Sequence, residues 1–407
     1  MNDLKDRLFW ISTDKEIKDA IATDYYFLNT EKALLKSGLN PKVTMEVYAR
    51  KLPYKQQWGI VSGIYEAAKL LEGLPVDVDA MEEGTLFVTP EENAGYEPVM
   101  QIRGRYAVFA RYETPLLGFI SSATGFITKA ARIRLMADDK TLLSFGTRRA
   151  HPALAPLIER SAYLAGFDGV SNVAGAKLLG IKGSGTMPHS FILCYPSQKE
   201  AWKAFLEAAE EKKIIALTDT MYDEKVESLM AYETLGKNLA GVRLDTPSTR
   251  RGDWRKIVQE VRWELDLHGA KHVKIFISGG LDEEEIARMK DIVDGFGVGT
   301  SVSSAPAVDF NMKLVEVEQN GRMVPKAKRG DLSGTKSLYR DMKSLEDFLT
   351  PAGFRASSNL TPLLTPLIRN GKIVREFLSI EEIREKVKSS LDAVRRGIPK
   401  LTVISRV

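Results

Sequence analysis

The sequence predicts an α/β barrel preceded by a separate α+β domain. Its 407 residues exceed what one hydrophobic core usually organises. From about residue 140, short β-branched runs ending in Gly, Ser, Thr or Asp alternate with amphipathic helical segments. This alternation is typical of parallel strands joined by right-handed crossovers, and nearly continuous apolar runs such as VKIFI indicate burial on both faces.

The part of the chain before the alternation has a different pattern. PKVTMEVYARKLP is typical of a strand, WGIVSGIYEAAKLLEG of a helix, and DVDAMEEGTLFVTPEENAGYEPVMQIRGRY of short strands joined by turns. RYETPLLGFISSATGFITKAARIRLMA predicts a long helix leading into the barrel. We place an N-terminal α+β domain at 1–115, the barrel at 116–312, and a C-terminal segment at 313–407. That segment is expected to return to the N-terminal domain and to end in an amphipathic helix near IEEIREKVKSSLDAVRR.

Six strands are predicted for the barrel. They are 141–147, 168–175, 213–220, 240–246, 272–280 and 295–302. Barrel enzymes carry their chemistry at the carboxyl ends of the strands. The candidate site is therefore the set of polar and glycine residues at those ends, which are Thr147, Arg148, Ser171, Asp219, Asp245, Ser278, Gly279, Gly280, Gly299 and Thr300.

Composition excludes several classes of function. Lys and Arg number 58 against 54 Asp and Glu, and no basic block is interleaved with aromatics, so we expect no nucleic-acid partner. No run of about 18 apolar residues and no signal-type N-terminus occurs, so we expect a soluble, cytoplasmic protein with no membrane partner. The single cysteine, Cys194, forms no intramolecular disulfide, and its setting FILCY predicts a buried core thiol.

Two glycine clusters follow consecutive predicted strands, in ISGGLDEEEI and FGVGTS. Free backbone N–H groups and a helix dipole at such a turn attract an anion, so the pair favours a sugar-phosphate site, although glycine also simply permits a tight turn. Asp245 lies next to these loops and can accept hydrogen bonds from two vicinal hydroxyls, or it can cap a helix. Arg243, Arg250 and Arg251 could neutralise a polyphosphate, and the last two also fit a solvated run.

Other strand ends suggest a ring site and a cation site. Phe145 followed by Arg148 offers stacking and a bidentate clamp for a carboxylate, unless the arginine belongs to a surface basic pair. Asp219 with Asp245 could hold Mg²⁺ together with substrate phosphates. His189, in GTMPHS, is either an incidental turn residue or a functional group.

Seven motifs together resemble the nicotinate phosphoribosyltransferases, particularly the archaeal type. They are ATDYYF, SFGTRRAHP, DGVSNVAGA, GTMPHS, LDTPS, FISGGLDEEEI and FGVGT. The resemblance implies an irregular α/β barrel of the type II phosphoribosyltransferase kind with an open-faced N-terminal domain. It also implies a homodimer or higher homo-oligomer with shared active sites. The implied reaction converts nicotinate and phosphoribosyl pyrophosphate into nicotinate mononucleotide and pyrophosphate in NAD salvage, with ATP as co-substrate.

The resemblance also assigns roles to individual residues. Asp245 matches the ribose-binding aspartate, Arg243 the arginine before it, and His189 the histidine that ATP-coupled members phosphorylate. The remaining matches are to binding residues: Gly279, Gly280, Gly299 and Thr300 for the 5-phosphate, Phe145 and Arg148 for the ring and its carboxylate, Ser171 for the ring substituent, and Tyr26 for the aromatic residue contributed by a neighbouring subunit.

Three other interpretations are weighed against this one. A quinolinate phosphoribosyltransferase should need extra cations around the ring and no phosphorylated histidine, so GTMPHS counts against it. A silent nucleotide-binding relative should have lost Asp245 or the glycine loops, and a Schiff-base aldolase needs a lysine at a strand end, whereas Lys274 begins its strand. Archaeal relatives can carry a cysteine-rich zinc knuckle, but YRDMKSLEDFLTPAGFRASSNLTPLL has no cysteine or histidine, so we expect no structural zinc.

Overall fold

The computed structural model describes residues 7–89, 95–245 and 252–404, so Arg250 and Arg251 lie outside the described residues. The chain separates into two compact units. Unit 1 contains the residues up to Thr128 and those from Pro306 onward, and unit 2 is Lys129–Ala305. The sequence places the domain limits at 115 and 312 instead. None of the described helices is long and apolar enough to cross a membrane.

The N-terminal part of unit 1 alternates short helices with strands. The elements are α1 (Asp14–Lys18), α2 (Tyr25–Lys36), β1 (Lys42–Ala49), β2 (Trp58–Ile60), α3 (Ile64–Leu71), β3 (Val76–Ala80), β4 (Leu86–Val88), β5 (Pro98–Arg105), α4 (Tyr106–Phe109) and α5 (Glu113–Ala137). The long helix expected before the barrel is confirmed as α5, which continues into unit 2.

The helix predicted for WGIVSGIYEAAKLLEG is only partly correct. Its first residues form the buried strand β2, and the helix α3 begins after Gly63. Gly63 has a left-handed backbone with φ of 87°, and a Cβ on it would lie 2.7 Å from the Phe119 carbonyl oxygen. A glycine is therefore required where the strand turns into the helix.

The strands of unit 2 form a six-stranded sheet. They are β6 (Thr141–Ser144), β7 (Gly169–Val170), β8 (Ile214–Leu217), β9 (Leu239–Leu244), β10 (Lys274–Ser278) and β11 (Gly295–Val298). All pairs are parallel, in the order β7-β6-β11-β10-β9-β8. The last strand, β11, pairs with the first, β6, so the strands follow the chain around a ring that is unpaired only between β7 and β8. This curled half-barrel confirms the predicted fold class.

Helices connect the strands of this ring. They are α6 (Ala155–Leu164), α7 (Val173–Leu179), α8 (His189–Leu193), α9 (Gln198–Ala208), α10 (Glu224–Leu235), α11 (Trp254–Leu267), α12 (Glu283–Met289) and α13 (Thr300–Ser303). In α11, Val258, Val261 and Leu265 recur at helical spacing and are buried, and Asp253 accepts the N–H groups of the first turn. The apolar side of the amphipathic pattern in the sequence thus corresponds to the face that α11 buries.

Three details of the predicted barrel are wrong. The strand expected at 168–175 ends at Val170, because Asn172 caps α7 by accepting the Gly175 N–H. The strand expected at 295–302 ends at Val298, because α13 begins at Thr300. Cys194 is exposed rather than buried, since it is the C-cap of the short helix α8, in which only Ile192 is buried.

The chain then returns to unit 1. The elements are β12 (Phe310–Gln319), β13 (Arg322–Pro325), β14 (Lys336–Asp341), β15 (Glu346–Pro351), β16 (Leu360–Pro362), β17 (Thr365–Arg369), β18 (Lys372–Ile373), α14 (Ile380–Arg396) and β19 (Lys400–Val403). The expected C-terminal amphipathic helix is α14, which begins with a capping box between Ser379 and Glu382.

Unit 1 is organised around a seven-stranded sheet of order β13-β12-β1-β5-β3-β17-β18, with a four-stranded sheet of order β16-β14-β15-β19 and the pair β2-β4. One apolar cluster includes residues of β1, β3, β5, α3 and β12. In the four-stranded sheet, Arg340 and Asp347 form a buried bidentate ion pair with both contacts at 2.6 Å. This pair links β14 to β15 in the stretch for which the sequence predicts no zinc.

Candidate active site

Four predicted residues of unit 2 form one chain of hydrogen bonds across the carboxyl ends of neighbouring strands. His189 Nε2 lies 3.1 Å from Asp219 Oδ1. The backbone N–H of Asp245 donates to the other oxygen of Asp219 at 2.8 Å. The hydroxyl of Ser278 donates to Asp245 Oδ1 at 2.7 Å. The structure therefore brings His189, Asp219, Asp245 and Ser278 together.

Asp219 is the buried centre of this chain. Its side chain is 3% exposed, against 39% for His189. Burial raises the pKa of Asp219 to about 6, although His189 and the Asp245 N–H stabilise the ionised form. When Asp219 is ionised, the imidazole donates its Nε2–H to it, and the lone pair lies on Nδ1.

Both oxygens of Asp219 are engaged within the protein, so a role as the predicted magnesium ligand would compete with these contacts. Within the described ranges, no group of three or more His, Cys, Asp and Glu side chains could hold a metal ion. Mg²⁺ demands nearly ideal octahedral oxygen ligands. Magnesium held by Asp219 and Asp245 together with substrate phosphates stays a prediction.

Arg243, on β9, connects the GTMPHS loop to the predicted ring site. It donates to Thr186 Oγ1 at 2.6 Å and to the Met187 carbonyl at 3.4 Å. Its guanidinium carbon lies 5.8 Å from the centre of the Phe145 ring. Burial lowers its pKa, Asp245 and Asp219 act in the opposite direction, and Arg148 also lowers it. This partly buried cation holds the loop that precedes His189.

Phe145 lies against the backbone of the neighbouring strand β11. A Cβ on Gly297 would come within 2.5 Å of two carbons of the Phe145 ring, and the Phe145 N–H donates to the Val298 carbonyl at 2.7 Å. Gly146 approaches the chain similarly, since a Cβ there would lie 2.5 Å from the Gly299 carbonyl oxygen. The pairing of the first and last strands therefore positions the predicted stacking ring.

The first predicted phosphate loop, in ISGGLDEEEI, differs from the simple expectation. Gly279 and Gly280 are exposed and have φ values of 94° and 67°, a left-handed backbone that favours glycine. However, the Asp282 side chain already accepts two N–H groups of α12, and Glu283 begins an acidic first turn. The N-terminus of α12 therefore does not offer the anion site that the sequence predicts, and any phosphate contact there falls to the glycine backbone.

Ser171 and Thr147 are linked through residues that the sequence did not single out. Glu159 is fully buried, and its Oε1 accepts the Asn172 N–H at 2.9 Å and the Ser171 hydroxyl at 3.4 Å. Burial raises the pKa of Glu159, and these hydrogen bonds partly offset the increase. Asn172 Nδ2 lies 3.5 Å from Thr147 Oγ1.

Glu227 is a second buried carboxylate that sequence reasoning missed. It accepts the N–H groups of Thr220, Met221 and Tyr222 at 2.9, 2.5 and 2.7 Å and so holds the loop that follows Asp219. A glutamate inside an amphipathic helix is normally a solvent-facing residue, so neither Glu159 nor Glu227 gave a signal. The available signal was Gly175, whose missing side chain the structure explains, because a Cβ there would lie 2.7 Å from the Glu159 Cβ.

Other predicted residues are more exposed. Arg148 and Thr300 are exposed in unit 2. Tyr26 belongs to α2 of unit 1 and is 57% exposed, with its ring 4.3 Å from the Phe27 ring. Its predicted role at the ring site stays a prediction.

The parallel half-barrel, with a histidine, two aspartates, an arginine and glycine loops at its strand ends, defines a class, the type II phosphoribosyltransferases. The models for the N-terminal and C-terminal domains of quinolinate phosphoribosyl transferase match residues 24–124 and 127–313. Both the matched domains and the relatives described next show that the chain belongs to this family of phosphoribosyltransferase enzymes.

Individual relatives carry more specific names. The chain is 31% identical to a nicotinate phosphoribosyltransferase of Mycobacterium tuberculosis, over 93% of this chain and 92% of that protein. It is 49% identical to the solved nicotinate-nucleotide pyrophosphorylase of Pyrococcus furiosus, with a TM-score of 0.91 over 96% of this chain and 99% of that one. The solved human nicotinic acid phosphoribosyltransferase, at 22% identity and a TM-score of 0.77 over 94% and 98%, shares the fold.

Proposed function

We propose that this protein is a nicotinate phosphoribosyltransferase that couples the transfer to ATP hydrolysis through His189. The observation that carries the proposal is the hydrogen-bonded chain from His189 through Asp219 to Asp245 and Ser278. It joins a candidate phosphate acceptor to a candidate ribose-binding carboxylate. The names of the Mycobacterium and other relatives support nicotinate as the acceptor.

In the proposed transfer, the pyridine nitrogen of nicotinate attacks the anomeric carbon of phosphoribosyl pyrophosphate. The new C–N bond forms as the C–O bond to pyrophosphate breaks, and the electron pair leaves with pyrophosphate. The ring nitrogen is already a nucleophile, so positioning and charge stabilisation supply most of the catalysis. No general base is required.

The nicotinate side of the site contains an aromatic platform and cationic or polar groups. Phe145 stacks on the ring from one side, and Tyr26 of a neighbouring subunit is proposed to cover the other. Arg148 and Thr147 bind the carboxylate, with Ser171 beside the ring substituent. This assignment requires a homodimer or higher homo-oligomer with shared sites.

On the phosphoribosyl side, Asp245 accepts the ribose hydroxyls. The backbone N–H groups at Gly279, Gly280, Gly299 and Thr300 bind the 5-phosphate. Arg243 is a partly buried cation close to Asp245, and its charge stabilises the departing pyrophosphate. Ser278 holds Asp245 by the 2.7 Å hydrogen bond.

His189 is the proposed phosphate acceptor. Nδ1 attacks the γ-phosphorus of ATP, the bond to the ADP oxygen breaks, and ADP leaves. Water later attacks the phosphorus of the phosphohistidine, the P–N bond breaks, and inorganic phosphate leaves while the imidazole returns to its neutral form. Asp219 accepts the Nε2–H throughout and stabilises the positive charge that develops on the ring.

The reaction is tested with purified protein, phosphoribosyl pyrophosphate and nicotinate, quinolinate or nicotinamide in turn, with and without ATP. We expect nicotinate mononucleotide from nicotinate and stimulation by ATP. Release of CO₂ from quinolinate, or no product from nicotinate, would refute the proposal. Quinolinate is the second candidate acceptor because the matching domain models carry its name.

The role of His189 is tested separately with His189→Ala and γ-labelled ATP. We expect loss of the acid-labile label and of ATP stimulation. His268→Ala is the matched control, since His268 is a half-exposed histidine of the same unit at the end of α11. Equal labelling of His189→Ala and wild type would exclude the phosphohistidine.

A further inference from the structure

The side chain and the backbone N–H of Asn172 are both held by hydrogen bonds. It is the N-cap of α7, and its Oδ1 accepts the Gly175 N–H at 3.1 Å. Its backbone N–H donates to the buried Glu159 at 2.9 Å. Gly175 has no side chain where Glu159 packs, which lets α7 approach α6. The side-chain amide of Asn172 therefore has one orientation.

That orientation determines how Thr147 can bond. Because Oδ1 of Asn172 must accept from Gly175, the group that faces Thr147 Oγ1 at 3.5 Å is the Nδ2 amide, which can only donate. Thr147 Oγ1 is then an acceptor toward Asn172. Its own proton is left for another acceptor.

The Ser171 hydroxyl, in contrast to that of Thr147, is a donor in its hydrogen bond within the protein. The hydroxyl faces Glu159 Oε1 at 3.4 Å, and the same oxygen accepts the Asn172 N–H. Because Oε1 of Glu159 accepts the Asn172 N–H, it is not the protonated oxygen of that carboxyl group. The Ser171 hydroxyl therefore donates its proton to Oε1, and only the lone pairs of Ser171 Oγ remain for other groups. A carboxylate also presents only lone pairs, so Ser171 is not the group that binds it.

We propose that Asn172 is a specificity-determining positioning residue, which directs the Thr147 hydroxyl proton toward the substrate and so makes the ring site select a carboxylate over a carboxamide. This inference rests on the proposed function. Asn172 acts through Thr147, which would donate to the carboxylate together with Arg148. Ser171 lies beside the substituent and does not distinguish the two.

The alternative is that Asn172 only caps α7. Asn172→Asp and Asn172→Ser separate the two roles, because aspartate and serine are as good at capping as asparagine. Aspartate presents an acceptor to Thr147, which reverses the Thr147 hydroxyl and adds negative charge. Serine is too short to reach Thr147 and adds no charge.

The experiment measures kcat and KM for nicotinate and nicotinamide, and the dissociation constants of both ligands by calorimetry, with thermal unfolding as a control. For Asn172→Asp we expect KM and Kd for nicotinate to rise at least about tenfold, which corresponds to one lost hydrogen bond to a charged group. The KM and Kd for nicotinamide should stay within about twofold of the wild-type values or decrease. Asn172→Ser should change the nicotinate values less, and all variants should unfold at the wild-type temperature.

A double-mutant cycle with Thr147→Val tests whether Asn172 acts through Thr147. We expect Asn172→Asp to have little additional effect on nicotinate once the Thr147 hydroxyl is absent. Equal losses for both ligands, equal losses in the Asp and Ser variants, or full additivity in the cycle would overturn the inference. Failure of the wild type to turn over nicotinate would refute the proposed function alone, and the ratio of the two dissociation constants would still decide the role of Asn172.

Discussion

Substitution of Gly297 by alanine tests the contact that positions the predicted stacking ring. The added methyl would lie 2.5 Å from two ring carbons of Phe145, where carbon atoms normally pack about 3.5–4.0 Å apart. The ring must therefore move by about an ångström away from β11. The methyl would also lie 3.1 Å from the Ser278 Cβ, so the Phe145 ring is the closer of its two contacts.

The expected magnitude follows from two separate effects. Overpacking of a tightly packed contact typically costs about 1–3 kcal/mol of the free energy of unfolding. A well-placed aromatic contact contributes about 0.5–1.5 kcal/mol, which corresponds to an increase of roughly two- to tenfold in the KM for nicotinate. A displacement of about 1 Å can also lower kcat by as much as about a hundredfold.

The assay compares Gly297→Ala with Gly183→Ala, in which the added methyl has no atom nearer than 3.8 Å in the same unit. Steady-state kinetics with nicotinate and denaturant unfolding are measured for both, and for Phe145→Ala. If Gly297→Ala matches the control in KM, kcat and stability, the packing argument is wrong. If Gly297→Ala is impaired but Phe145→Ala is not, the stacking role of Phe145 is wrong.

Three further predictions follow from the site. Burial raises the pKa of Asp219 to about 6, so protonation as the pH falls through that value removes the acceptor for the His189 Nε2–H. ATP-stimulated turnover should therefore decline in that pH range, and Asp219→Asn should lose the stimulation at every pH. A pH–rate profile of both proteins measures this. If Tyr26 completes the site of a neighbouring subunit, co-refolded Tyr26→Ala and Asp245→Ala chains, each inactive alone, should recover roughly a quarter of wild-type activity, and no recovery would contradict the shared site. The exposed Cys194 should react with a thiol reagent in the native protein, whereas Cys194→Ser should not, and slow labelling that requires denaturant would contradict the exposure.

Periodicity was sufficient to predict the barrel strands and the residues at their ends. Runs such as KIFIS are apolar because both faces are buried, but every predicted strand extends past the observed carboxyl end, most of all β7. Asp219, Asp245 and Ser278 could be grouped before the structure was known, because the carboxyl ends of parallel strands meet at one edge of the sheet.

The sequence could not predict contacts that depend on exact register or on buried polar groups. The position of Phe145 on Gly297 requires the pairing of β6 with β11, which no local pattern encodes. Glu159 is buried because it satisfies N–H groups of the loop before α7, a role that helical periodicity cannot distinguish from solvent exposure. The exposure of Cys194 was missed because a short apolar run does not distinguish a strand from a surface helix.

The pairing of the first strand of unit 2 with its last also has a consequence for biosynthesis. A chain that emerges from the ribosome can form the β6–β7 and β9–β10 pairs as soon as both strands of each pair are available, but β6 can pair with β11 only when that last strand has been synthesised. Phe145 directly follows β6 and Gly297 lies on β11, so the surface proposed to hold the pyridine ring is assembled by the most distant pairing in the sheet. Because distant pairings form late and slowly, an incomplete chain would contain most of the barrel without its nicotinate platform, and the ability to bind nicotinate would mark the completion of folding.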